Sequence, residues 1–571
     1  MSRLKISYII KPYAYFLVIT MLLLAVSANR IYAQEEGATT EAPKKETQQD
    51  KNSGQQDKTA RVVLEKSDAI AFDQNRLPDV QIIKGNVRFR HEDALMYCDS
   101  AYFYSKASSF DAFGNVRIIE GDSIFIYGDM LFYDGNTRLA RMRENVRMEN
   151  NGAELITDSL NYNREYDLAY YFTGGTLRDN RNTLTSIWGQ YSPTTKQALF
   201  RDSVKLVNES FTMVADTLKY NTENKIADIV GETHINYLNE TDIYSTRGWY
   251  DTNMEKSMLL DRSLIVHENG KTVTGDTIYY NKLEQYVEGF MNMELADSTQ
   301  QVTLYGDYIF YNELTEDGLA TDSALIVDWS STDSLYTHAD TLKIFKDSVY
   351  DVMQAYPNVR FFRSDMQGVC DSLIYLSKDS IATMYGQPVV WSGNSQLSGE
   401  VIKAFIKGES VDRIYIPRKA LGVQPSEYNN FNQFSSKELT AYIIDGALNR
   451  VVLSGNVETI YFIIDDVDMS LVGINKTSSS YATMYFKDQE MDRLVLTDAD
   501  SNGTTYPVEE LTGEQRFLSG FFWLEEQQPK SKMDVFLTFP NKNRHESNVN
   551  HIRSAASPDT PENTQTKEES K

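Results

Sequence analysis

Between its polar ends the chain is written in short apolar and aromatic runs separated by turn-forming residues, with side chains alternating at a period of two. Segments such as 214–220 (VADTLKY) and 273–280 (VTGDTIYY) are short and rich in β-branched and aromatic residues, which suits a pleated, half-buried strand. Turn-forming clusters bound them at Asp134-Gly135-Asn136, Asn150-Asn151-Gly152, 221–224 (NTEN) and Glu268-Asn269-Gly270. Proline is scarce, 13 in 571 residues, as stacked strand ladders require. The pattern predicts an all-β protein.

The strands repeat. One arm reads Asp-[Ser/Thr]-aliphatic and recurs around Asp99, Asp129, Asp158, Asp216, Asp276, Asp307, Asp340 and Asp371, at intervals of 30, 29, 58, 60, 31, 33 and 31 residues. The other arm is a Gly-Asn-Val step at 85–87, 114–116 and 455–457, with relatives at 144–146, 174–176 and 231–233. Two arms holding one period indicate a repeat architecture, in which each unit buries its apolar side against its neighbours. Strict alternation would put Val214, Asp216, Leu218 and Tyr220 on one face, a costly place for a column of carboxylates. A bend or bulge at each Asp, resetting the parity, is therefore expected. The inward column is then Leu131, Tyr133, Leu160, Tyr162, Leu218, Tyr220, Ile278, Tyr280, Ile309 and Tyr311.

The ends read differently. Residues 1–33 carry Arg3, Lys5 and Lys11 before the apolar run 13–28, with a cleavage point expected after Ala33 or Ala28. This is the form of a signal peptide, the alternative being an uncleaved anchor. Residues 34–60 contain no Val, Ile, Leu or aromatic residue and are expected to be a disordered linker, like the tail 540–571. The formal charge of −25 argues against nucleic acid. Two cysteines, Cys98 and Cys370, exclude a disulfide framework and are expected to be buried free thiols. Six scattered histidines form no metal-binding or nucleophile spacing, so no catalytic residue, metal or cofactor is expected.

The runs 85–104 (GNVRFRHEDALMYCDSAYFY), 114–134 (GNVRIIEGDSIFIYGDMLFYD) and 144–163 (ENVRMENNGAELITDSLNYN) resemble the organic-solvent-tolerance (OstA-like) domain of the LptA-type lipopolysaccharide transport proteins. The resemblance is strongest over 62–310, weaker to 457 and absent beyond. It implies an elongated, open β-jellyroll of antiparallel strands, with OstA-like repeats at 61–310, more divergent repeats at 311–457 and a C-terminal capping or docking region at 458–539. It further implies a periplasmic protein that shields the acyl chains of lipopolysaccharide or a related glycolipid in an apolar groove and bridges the two membranes. Its partners would be an inner-membrane Lpt jellyroll component and an outer-membrane LptD-type translocon, with head-to-tail self-association as a further arrangement.

Alternatives stand beside each expectation. Periodicity alone suits the closed core of a structural or adhesive β-solenoid as well as a lipid groove. The repeated Asp suits a turn or strand end, the alternative being a calcium ladder. The Asp-[Ser/Thr]-aliphatic tripeptides suit repeat consensus or O-glycosylation. An enzyme of the β-helix class would need long non-repeating loops, which the chain lacks.

Overall fold

A computed structural model describes residues 61–72, 79–347, 350–408, 410–444, 447–465, 467–468, 470–487, 490–498, 500–507, 510 and 513–538. The expected signal peptide, linker and tail lie outside them. Among the described residues the regular structure is β-strand with a few single 3-10 turns, and no helix is long and apolar enough to cross a membrane. They fall into two compact units: an N-terminal unit of 61–268 with 274–283, and a C-terminal unit of 269–273 with 284–538.

The N-terminal unit begins with strands that each serve two sheets. Gln81–His91, Ala94–Tyr104, Ser109–Glu120, Ile124–Asp134, Leu139–Asn150 and Ala153–Asn163 follow one another as antiparallel neighbours. Each bends in the middle, where the register slips, for instance between Phe113 and Val116 against Gly128 and Met130. One half of every strand lies in sheet I, whose turns are near 92, 122 and 151. The other half lies in sheet II, whose turns are near 106, 136 and 165. The sheets face each other: Phe89 of sheet I stacks on Phe110 of sheet II with ring centroids 4.2 Å apart. Bends therefore line one long side, a corner, and hairpin turns line the other, a lip.

The two sequence arms make the corner. In Gly85-Asn86, Gly114-Asn115, Glu144-Asn145 and Asp202-Ser203 both residues have positive φ, 77° and 45° at Gly114-Asn115. A pair of left-handed residues inserts a bulge and turns the strand from one sheet into the other. Glycine is needed at 114 for a second reason, since a Cβ there would stand 2.6 Å from Asp99 Oδ2. That Asp99 carboxylate accepts from Asn115 Nδ2 at 2.7 Å, and the bond recurs from Asn86 to Asp68 at 2.7 Å and from Asn145 to Asp129 at 2.6 Å. The repeated Asp is thus an exposed corner residue that holds the next corner's Asn. The parity reset follows: Ala94, Met96 and Cys98 are buried before the corner, Ala101 and Phe103 after it, with Asp99 outside.

In the C-terminal unit the halves are mostly separate short strands. Val359–Arg363, Met366–Cys370, Val389–Ser392, Ser395–Ser398, Ala420–Ser426 and Asn430–Ser436 build sheet I; Ser372–Leu376, Ile381–Tyr385, Val401–Lys407, Ser410–Ile416 and Glu438–Ile444 build sheet II. Long bent strands return at Ala447–Ile464 and Leu471–Lys487, with a corner at Gly455-Asn456. Segment 513–538 then runs back across sheet I. Its Phe521, Phe522, Trp523 and Leu524 pack on Val369, Val389, Trp391, Leu421 and Val423. Three polar side chains grip its backbone. Gln433 takes Arg516 O and Leu518 N; Gln396 takes Phe522 O at 3.1 Å and Leu524 N at 3.0 Å; Arg360 donates to Gln527 O and Asp534 O.

Candidate functional site

All ten residues of the inward column sit on sheet II facing sheet I, each at most 6 % exposed. Leu131 to Tyr280 belong to the N-terminal unit, Ile309 and Tyr311 to the C-terminal one. Register brings them together through small or flexible intermediates: Tyr133 pairs with Ala140 and Ala140 with Tyr162, while Leu131 pairs with Met142 and Met142 with Leu160. Tyr220 likewise lies between Ala198 and Ala227. A ring beside a methyl on each neighbouring strand lets the layer pack closely. In the N-terminal unit the space between the sheets is a packed interior.

The tyrosines have a second role at the lip. Tyr133 shares a 2.6 Å hydrogen bond with His91 Nδ1, Tyr162 donates to Glu120 at 2.8 Å, Tyr191 to Asn150 at 2.9 Å and Tyr220 to Asp179 at 2.9 Å. Each partner ends a sheet I strand. A basic residue from the sheet II turn completes each set. Arg138 meets Glu92 at 2.6 Å, Arg164 meets Glu120 at 2.9 Å and Asp93 at 2.7 Å, Lys196 meets Asn150 at 2.7 Å and Lys225 meets Asp179 at 2.5 Å. Arg164 is nearly sealed from solvent. Burial by itself would lower its pKa, but Tyr133 and the Glu120 carboxylate hold it above its usual value. Burial, reinforced by the carboxylates, pushes the Tyr162 and Tyr220 hydroxyls up, so both remain donors. These cross-lip bonds are latches, and no local pattern announces them because the partner changes type at each rung.

The C-terminal unit is different. A cavity of about 460 Å³ opens between its sheets, within the size range of small-molecule sites. Val390, Leu397 and Phe434 line it from sheet I; Ile414, Ile443, Leu448, Met484, Phe486, Met491 and Leu494 line it from sheet II. Ser392, Asn394, Ser395 and Asn432 add a polar rim. A local cause is visible in the column. Two residues beyond the first inward position, where other strands carry Tyr133, Tyr162 or Tyr220, the strands here carry Ala404, Ala441 and Met484. Both alanines pair with Ile414, which lines the cavity between them. Sequence reasoning missed this site, although the exchange of Tyr for Ala within the column is a signal that could have found it.

Cys98 and Cys370 are buried thiols outside any disulfide, and burial pushes the Cys98 thiol up to about 12. No group of three or more potential metal ligands occurs among the described residues.

Each unit is a two-layered, corner-bent antiparallel β-array. Residues 59–216 match the model of the family described as OstA-like protein, so the chain carries an OstA-like region there. No curated protein matches the chain. Among solved structures it is similar to LptH, the LptA-homologous periplasmic component of the lipopolysaccharide transport device of Pseudomonas aeruginosa. That similarity has 15 % identity, covers 18 % of this chain and 79 % of that one, and has a TM-score of 0.17.

Proposed function

We propose that this chain is a non-enzymatic, exported carrier that holds the acyl chains of lipopolysaccharide or a related glycolipid between its two sheets. It would act in the periplasm during outer-membrane assembly, bridging an inner-membrane Lpt jellyroll component and an outer-membrane LptD-type translocon. The observation that carries the reading is the cavity of about 460 Å³, apolar inside and polar at its rim, placed between the inner faces of a repeating array. Burying an acyl chain there gains about 0.8 kcal/mol per methylene. Ten methylenes repay a modest opening of the lip. The OstA-like region at 59–216 supports the same reading, and transfer along equivalent rungs requires no bond to be made or broken.

A second reading has its own support. The column Leu131 to Tyr280 is packed and latched in the N-terminal unit, as a structural scaffold with a closed core would be. Native mass spectrometry of the chain purified from its own envelope separates the two. A stoichiometric acylated glycolipid is expected for the carrier, and a lipid-free chain from every preparation would reject it.

A further inference from the structure

The N-terminal interior has a line of weakness on one side and a line of fasteners on the other. At the corner, alternate long strands carry a two-residue left-handed bulge where the ladder register breaks, as at Lys84/Val87, Phe113/Val116, Arg143/Val146 and Arg201/Val204. A column of such breaks is a hinge about which one sheet can swing from the other. At the lip, four successive rungs are closed by a tyrosine hydroxyl, a hydrogen-bonding partner at the end of a sheet I strand and a basic residue from a sheet II turn.

We infer that these latches are a rung-by-rung gate that holds the N-terminal interior shut until an acyl chain displaces them. The inference rests on the lipid-carrier reading and adds to it how the site is regulated. Two features favour a gate over simple core stabilisation. The latches lie only at the lip, while Leu131, Leu160 and Leu218 beneath them carry no polar atom. The latch bonds are made by side chains and reach across the two sheets, so breaking them frees the lip without breaking a strand ladder. The rungs are separate, so an opening need only be local, and the advancing chain unfastens one latch as the previous one closes behind it. The C-terminal cavity then serves as the standing bay and the N-terminal interior as a closable lane.

The test uses the full chain and a twelve-carbon fatty acid bearing a terminal diazirine, with adducts mapped by peptide mass spectrometry. In the native chain, adducts are expected at the cavity residues Leu397, Met484 and Leu494 and only weakly at Leu131, Leu160 and Leu218. The Y133F/Y162F/Y191F/Y220F chain keeps every ring and loses every latch hydroxyl. Its column adducts should rise about tenfold, the effect of about 1.4 kcal/mol, with cavity adducts unchanged. A second variant, E92C/R138C joined by a short bismaleimide, fastens the lip and should abolish the column adducts; Cys98 and Cys370 are buried and escape the reagent. Cavity adducts with column adducts indifferent to both variants would overturn the gate and leave the carrier reading standing. No adduct at either place would overturn both.

Discussion

Filling the cavity should separate lipid binding from folding. Ala441 lies on the inner face of Glu438–Ile444, at the place taken by Tyr133 or Tyr162 in the N-terminal unit, and it is fully buried. Its strand neighbour Ile443 lines the cavity of about 460 Å³. Ala441→Tyr, alone or with Ala404→Tyr, restores the missing ring. Cavity filling in a natural protein commonly adds about 0.5–2 kcal/mol of stability, while strain from an imperfect fit costs about 1–3 kcal/mol. The net change in stability is therefore small. Binding changes much more. If the ring excludes about five methylenes of an acyl chain, the loss is about 4 kcal/mol, roughly a thousandfold in Kd. Titration of a fluorescent fatty acid, beside denaturant unfolding of the same samples, reads both quantities. Folded Ala404→Tyr/Ala441→Tyr chain with unchanged affinity would refute the assignment of the acyl chain to this space.

Other consequences concern the elements that shape the site. Gly114→Ala puts a Cβ against Asp99 at a residue with φ of 77°; a loss of about 1–3 kcal/mol is expected in urea unfolding, where Gly121→Ala, with open space around it, should cost less. Gln396→Leu leaves Phe522 O and Leu524 N unpaired; at about 1–3 kcal/mol per buried group, segment 513–538 should loosen and trypsin should cut at Lys530 and Lys532 faster. His338 packs on Phe536 and hydrogen-bonds Ala324 O at 2.7 Å, and burial holds its pKa below the usual value. The unfolded chain then binds more protons than the folded one between that lowered value and about 6.5. Stability falls as pH drops through this window, by at most about 1.4 kcal/mol per pH unit, and His338→Gln should flatten the slope measured by denaturant unfolding.

The legible parts of this fold are those fixed by local chemistry. The corner is visible because a pair of left-handed residues next to a partner Asp demands Gly-Asn or a close substitute, and the demand returns every repeat. The inward column is visible because strand parity, once reset at each Asp, leaves Leu131 and Tyr133 or Leu218 and Tyr220 no other face. The latches were not legible. Their partners lie 41 or 42 residues before the tyrosine and are a histidine, a glutamate, an asparagine and an aspartate, which share geometry and no residue type. The cavity was harder still, since its mark is a ring absent at Ala404 and Ala441, where the Asp arm has lost its regular spacing. The grip on segment 513–538 depends on Gln396 and Gln433 meeting backbone more than eighty residues away, which no local pattern encodes.

The central claim is that lipid occupies the space between the two sheets, and a site-specific photocrosslink scan in living cells reaches it most directly. A benzophenone amino acid would replace Leu397, Met484 and Leu494 in the cavity and Leu131, Leu160, Leu218 and Ile278 in the column, with exposed Lys219 as the outward control, in cells making labelled lipopolysaccharide. The account predicts adducts at the cavity positions, weaker ones along the column and none at Lys219. Folded protein at every position with no lipid adduct at any would contradict it and leave a sealed structural array.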